Sequence, residues 1–139
     1  MAYQVDLAYE KRRVFLQTYL LCSLLYLMYA VLDVWALPSA YVDAWLIRMI
    51  VIGLGALPCL LAQHRPELFV RYYTLITCTT YLVWGAGIEA IILLARPGDI
   101  AWDAYYAGLI LVSMALYSWT YLLPRHAAAT GLAIALAYI

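Results

Sequence analysis

Long apolar blocks separated by short polar connections run from Val14 to the last residue of the chain. Four of them, 14–37, 44–62, 68–95 and 104–123, match or exceed the ~20 residues a helix needs to cross ~30 Å of hydrocarbon. The third is long enough that it must tilt or protrude. A fifth block, 127–139, reaches only about 20 Å at 1.5 Å per residue. A helix ending there would leave its last carbonyls unsatisfied in lipid, so the sequence reads as the front part of a longer protein. A re-entrant or protein-docked helix is the other expectation. Pro38, Pro66, Pro97 with Gly98, and Pro124 stand between blocks, where helices end. Pro58 alone lies inside one, near its end, where a kink is tolerated. The predicted fold class is all-α: a polytopic transmembrane helical bundle of five apolar helices, the fifth incomplete, after a polar segment at 1–13.

Composition agrees. The 139 residues are 68% apolar and 12% charged, against roughly 25% charged in a soluble domain. A net charge of zero supplies no field to attract nucleic acid, and a soluble enzyme, a disulfide scaffold and a disordered tail are all excluded. The charge that informs is positional. With the N-terminus in the cytoplasm, Lys11, Arg12, Arg13, Arg65, Arg71 and Arg125 fall on the inner side and Arg96 alone on the outer. The expected topology is thus multi-pass, with residues 1–13 as a cytoplasmic juxtamembrane segment. Aromatic belts agree: Trp35, Tyr41, Trp45, Trp102, Tyr105 and Tyr106 lie near the outer boundary, and Tyr72, Tyr73, Trp119 and Tyr121 near the inner one.

Three ionisable residues remain inside the blocks: Asp33, Arg48 and Glu89. A charge near a helix centre costs at least ~2.5–3.5 kcal/mol on insertion scales, so each needs a reason. All three fall in the outer half of their helices and at similar depth. One expectation is that Asp33 and Arg48 pair across the first hairpin and fix its register. The other is an outward-facing pocket in which Arg48 holds an anionic or carbonyl-bearing ligand or Glu89 exchanges a proton, with Trp45, Tyr105 and Tyr106 on its rim. Glu89 hydrogen-bonded between helices is the plainer alternative for that residue.

The remaining chemistry is sparse. Cys22, Cys59 and Cys78 are scattered singly in apolar runs and read as small packing residues. His64 and His126 sit beside Arg65 and Arg125 in polar connections, which disfavours a haem held between helices. Thr74, Thr77, Thr79 and Thr80 read as helix glue. No phosphate loop, nucleophile elbow or metal-binding helix motif is present, so no catalytic residue, metal or cofactor is expected and this chain is not expected to be an enzyme. A complete small membrane protein, a transporter or complex subunit moving a proton or ion through Asp33, Arg48 and Glu89, is the competing function.

The order of landmarks resembles a known family. The basic segment before the first block, then "LDVWALP", "AWLIRMIVIG", "WGAGIEAIILLARPGD" and "AWDAYYAGLILVSMALYSWTYLLPRHAAATGLAIALAYI" together are similar to the six-helix N-terminal membrane (MASE-like) domains of bacterial nucleotide cyclases. In that family the membrane domain precedes a class III adenylate/guanylate cyclase or a diguanylate cyclase domain. The resemblance implies a membrane anchor and signal sensor in the bacterial inner (cytoplasmic) membrane, a homodimer formed through the parent protein, and a small-molecule or lipid-borne ligand of unknown identity. It also implies that this chain stops within helix five, before the catalytic domain.

Overall fold

The structure is a computed structural model that describes residues 2–138. Met1 of the polar segment and Ile139 of the fifth block lie outside the described residues, as do the side chains of residues 2–8, Asp6 among them. Seven helices follow one another: α1 (Ala2–Ala36), α2 (Tyr41–His64), α3 (Pro66–Arg71), α4 (Tyr73–Leu94), α5 (Ile100–Ala104), α6 (Tyr106–Ser118) and α7 (Pro124–Tyr138). There is no strand among the described residues. The fold is an all-α helical bundle, and four stretches are long and apolar enough to cross a membrane: Tyr9–Ala36, Tyr41–His64, Tyr73–Leu94 and Ile100–Ser118. The last combines α5 and α6. Helix α7, with 15 residues, extends about 22 Å at 1.5 Å per residue.

Helix boundaries depart from the apolar blocks at three places, each with a local cause. Helix α1 begins within the polar segment, whose Glu10, Lys11, Arg12 and Arg13 are good helix formers. The third block is two helices. Pro66 forces Arg65 out of the α region (φ −138°, ψ 64°) and opens α3 as its first residue, and Tyr72 then separates α3 from α4. The fourth block is shifted: the helix starts earlier, at Ile100, is interrupted at Tyr105 and ends at Ser118, leaving 119–123 non-helical. Pro124 disfavours a helical Leu123, and its own ring suits the first turn of α7.

The turn between α4 and α5 has its own lock. Gly98 sits at φ +101°, a conformation open to glycine, and the Asp99 carboxylate accepts a 2.9 Å hydrogen bond from the Arg96 backbone N–H. Helix α4 is the centre of the bundle and packs against α2, α6 and α7. Close approach is made possible by small residues. A Cβ at Gly87 would lie 2.5 Å from Val51 Cγ2 and 2.6 Å from Tyr26 Oη, and one at Gly85 would lie 3.0 Å from Ile134 Cγ1.

Buried side chains form three layers. At the end holding the α1–α2 turn, Ala36, Leu37, Ala44, Ile91, Ala95, Ala101 and Tyr105 pack together. The middle layer centres on Trp84, with the Tyr19, Tyr26 and Tyr81 rings 6.1–6.3 Å away. At the His64 end, Phe15, Cys59, Ala62, Phe69 and Tyr73 form the third. The outer faces carry many exposed apolar side chains, such as Leu20 and Leu93, a surface suited to lipid rather than water. Trp35, Trp45, Trp102, Tyr106, Tyr72, Trp119 and Tyr121 are exposed, whereas Tyr73 and Tyr105, read from sequence as interfacial, are buried.

Candidate functional site

The site is built where α1, α2 and the α5–α6 junction meet. Asp33 stands one turn before the end of α1 and Arg48 two turns into α2. The tight connection between them, in which the Leu37 N–H donates to the Asp33 carbonyl at 2.8 Å and the Ala40 N–H to the Leu37 carbonyl at 3.0 Å, brings the two to the same depth. Their side chains form a bidentate ion pair. Arg48 Nε donates to Asp33 Oδ2 at 2.7 Å and Nη2 to Oδ1 at 2.8 Å. Both side chains are nearly inaccessible, at 4% and 0% exposure.

Further polar contacts complete this pair. Tyr105, at the interruption between α5 and α6, donates its hydroxyl to Asp33 Oδ1 at 2.5 Å. Arg48 Nη1 donates to the Tyr26 carbonyl at 3.3 Å. The guanidinium also lies over the Tyr26 ring at 4.8 Å and within 6.0 Å of the Tyr29 and Tyr105 ring centres, positions at which an aromatic face attracts a cation. Opposite charges, a third donor to the carboxylate and an aromatic surround together make burial of two ions tolerable in a region without water.

The other residues singled out from sequence lie elsewhere. Trp45 is exposed on the α1–α2 surface, where its indole N–H donates to the Ala30 carbonyl at 2.8 Å. Tyr106 is exposed. Glu89 is half-buried on α4 and takes no part in the ion pair, and its Oε1 is enclosed without a hydrogen-bond partner. It is one turn beyond Gly85, on the side of α4 that meets α7. Of the α4 threonines, Thr80 returns its hydroxyl to its own helix, donating to the Ile76 carbonyl at 2.8 Å.

Beside the ion pair is a cavity of about 320 Å³, within the range of small-ligand sites. Cys22, Leu25, Tyr26 and Tyr29 of α1 form one wall. Gly108, Leu111, Val112, Met114, Ala115 and Ser118 of α6 form the opposite wall, and Trp84, Ile88 and Ile91 of α4 form the floor. Arg48 is the one charged side chain among the lining residues and Tyr105 adjoins it. Leu25, Leu111 and Met114 are exposed, so the mouth opens sideways through the apolar outer face. Tyr26 and Tyr29 had not stood out in sequence. Their spacing to Asp33 places all three on one face of α1, a signal that is weak in a chain with 14 tyrosines.

Among the described residues no group of His, Cys, Asp and Glu is arranged to hold a metal ion. Cys22 and Cys59 are buried free thiols and Cys78 is half-buried. Comparison with protein-family models, curated proteins and solved structures returned no match.

Proposed function

We propose that this chain is the membrane-anchoring and signal-sensing domain of a bacterial receptor-type nucleotide cyclase, held in the inner membrane with its N-terminus in the cytoplasm and paired with a second copy through the parent protein. The observation that carries this reading is the buried Asp33–Arg48–Tyr105 cluster at the wall of a cavity that opens toward lipid. The cluster ties α1, α2 and the α5–α6 junction together. A ligand that prefers α6 displaced from α1 would draw Tyr105 away from Asp33 and shift the helices between two arrangements. Such a shift is what a cytoplasmic dimer needs as an input. Lys11, Arg65 and Arg125 lie toward the end opposite the α1–α2 turn, which supports a cytoplasmic assignment for that end.

Proton or ion movement through the same residues has less support. The charges of Asp33 and Arg48 satisfy one another, and Glu89 stands outside their network. The sensory reading is tested in a full-length cyclase carrying this segment. Tyr105→Phe removes one hydrogen bond to a charged group, worth ~1.5–3 kcal/mol, and is expected to change basal or stimulated cyclic-nucleotide output about tenfold at equal membrane abundance. Output within twofold of the parent for both Tyr105→Phe and Arg48→Lys would discard the proposal.

A further inference from the structure

The lining of the cavity specifies what it would hold. Resting on the sensory reading above, we infer that its ligand is an uncharged, membrane-dissolved small molecule bearing one hydrogen-bond acceptor, such as an ester or ketone oxygen. Three features lead there. The mouth lies between exposed apolar residues, Leu25, Leu111 and Met114, so the route in is from the hydrocarbon phase. The volume, about 320 Å³, is that of a small-molecule site.

The donor count supplies the third feature. A guanidinium has five N–H groups. Three are used, by the two Asp33 oxygens and the Tyr26 carbonyl, and a fourth faces the Tyr105 hydroxyl, which leaves one N–H without a partner. Arg48 lines the cavity, and a spare donor there favours an acceptor at that end of the ligand. Its charge is already balanced by Asp33. An anionic head would leave a net negative charge among apolar walls, a costly burial, while a neutral acceptor adds none. The anionic ligand considered from sequence is therefore disfavoured and the carbonyl-bearing one retained.

The test uses the whole 139-residue chain in phosphatidylcholine vesicles with methyl palmitate carrying a mid-chain diazirine at low mole fraction. After illumination, adducts are mapped by mass spectrometry. They are expected to concentrate on Cys22, Trp84 and Ala115, which are buried cavity residues, relative to the lipid-facing Leu57 and Leu93. Unlabelled methyl palmitate is expected to displace them at about a tenfold lower mole fraction than hexadecane, the effect of one hydrogen bond to a charged donor, and hexadecane sulfonate to displace them poorly. Ala115→Phe, which fills the cavity, is expected to abolish them, with retained helicity as the fold control; the competition on the unaltered chain needs no variant.

Adducts confined to lipid-facing residues, equal displacement by hexadecane, or preferential displacement by the sulfonate would each overturn the ligand class. So would cavity labelling that falls with protein density in the membrane rather than with added ester, which would indicate a second copy at the mouth. Because this experiment reads binding and the cyclase assay reads output, the two proposals fail separately. Saturable cavity labelling with no effect of the ester on cyclase output would sustain the ligand class and remove the sensory role.

Discussion

Replacing Asp33 by Asn keeps the size of the side chain and removes its charge. In the structure this carboxylate takes hydrogen bonds from Arg48 Nε, Arg48 Nη2 and the Tyr105 hydroxyl, and neither member of the pair is open to solvent. The small value of exposed ion pairs, ~0–1 kcal/mol, is therefore the wrong reference. Removing one partner of a buried pair strands the other charge and costs ~3–5 kcal/mol. An asparagine would also turn an N–H toward the guanidinium in either amide orientation, because both oxygens accept from Arg48, so the upper part of that range is expected. Arg48→Gln should cost a similar amount. The double variant leaves no stranded charge, so it should fall short of the sum of the two by at least ~2 kcal/mol. Unfolding by sodium dodecyl sulfate in mixed micelles, followed by tryptophan fluorescence, measures all four corners. An Asp33→Asn cost below about 1 kcal/mol, or a double variant equal to the sum, would refute the buried-pair account.

Tyr105→Phe removes a single donor to the same carboxylate and is expected to cost ~1.5–3 kcal/mol in that unfolding assay. Gly87→Ala would push a Cβ to 2.5 Å from Val51 Cγ2 and should destabilise by ~1–3 kcal/mol; Gly53→Ala, with nothing within 4 Å, should be neutral or stabilising by up to ~1 kcal/mol. Glu89→Gln removes a charge that has no ion-pair or hydrogen-bond partner at Oε1, and should change stability by less than about 1 kcal/mol, or raise it slightly; a loss above ~2 kcal/mol would reveal a partner to the carboxylate. Phe69→Ala, fully buried between the rings of Phe15 at 5.1 Å and Tyr73 at 5.8 Å, should fall below the ~3–5 kcal/mol of soluble cores, because in lipid the unfolded side chain is not returned to water and only packing is lost.

The span pattern was legible because the bilayer imposes one period and one length on every crossing helix, and α2 carries both. The breaks were legible only in part. Pro66 and Pro124 marked connections between blocks, though each opens a helix, and Tyr72 and Tyr105 interrupt helices with no proline or glycine at the position. At Tyr105 the interruption coincides with a hydroxyl bonded to Asp33, which is tertiary information. Tyr105 illustrates the cost of reading position alone: an aromatic near a span end reads as an interfacial anchor, yet its hydroxyl turns inward to Asp33. The Asp33–Arg48 pair expected from matched depth on a tight hairpin forms, and the same Arg48 lines a cavity. Glu89 shares that depth but not that face, and angular position around α4 relative to α2 could not be read from one sequence. A pocket at Arg48 with Tyr105 on its rim was expected, but its opening toward lipid was not legible, since that is made by a gap between α1 and α6 rather than by any residue.

The ion pair and the cavity also explain one another. Apolar helices in lipid gain little from choosing one register over the next, since a slipped interface is nearly as apolar as the right one. Asp33 and Arg48 make the hairpin choose, because a slip of one residue moves a side chain 1.5 Å along the axis and about 100° around it and would separate two ions that lipid cannot solvate. Gly87 presses α4 against both hairpin helices, touching Tyr26 of α1 and Val51 of α2, so these three form a rigid frame. Helix α6 is held differently. It packs on α4 through Gly108 and Ile88, but across the cavity its tie to α1 is the Tyr105 hydroxyl on the frame's carboxylate. A molecule occupying the cavity meets one face of α6 and meets the frame at Arg48, the one charged residue of the lining. Drawing Tyr105 away from Asp33 breaks one hydrogen bond, while moving α1 against α2 breaks a buried ion pair. That difference makes α6, and the segment leading from it through 119–123 to α7, the part of the bundle placed to respond.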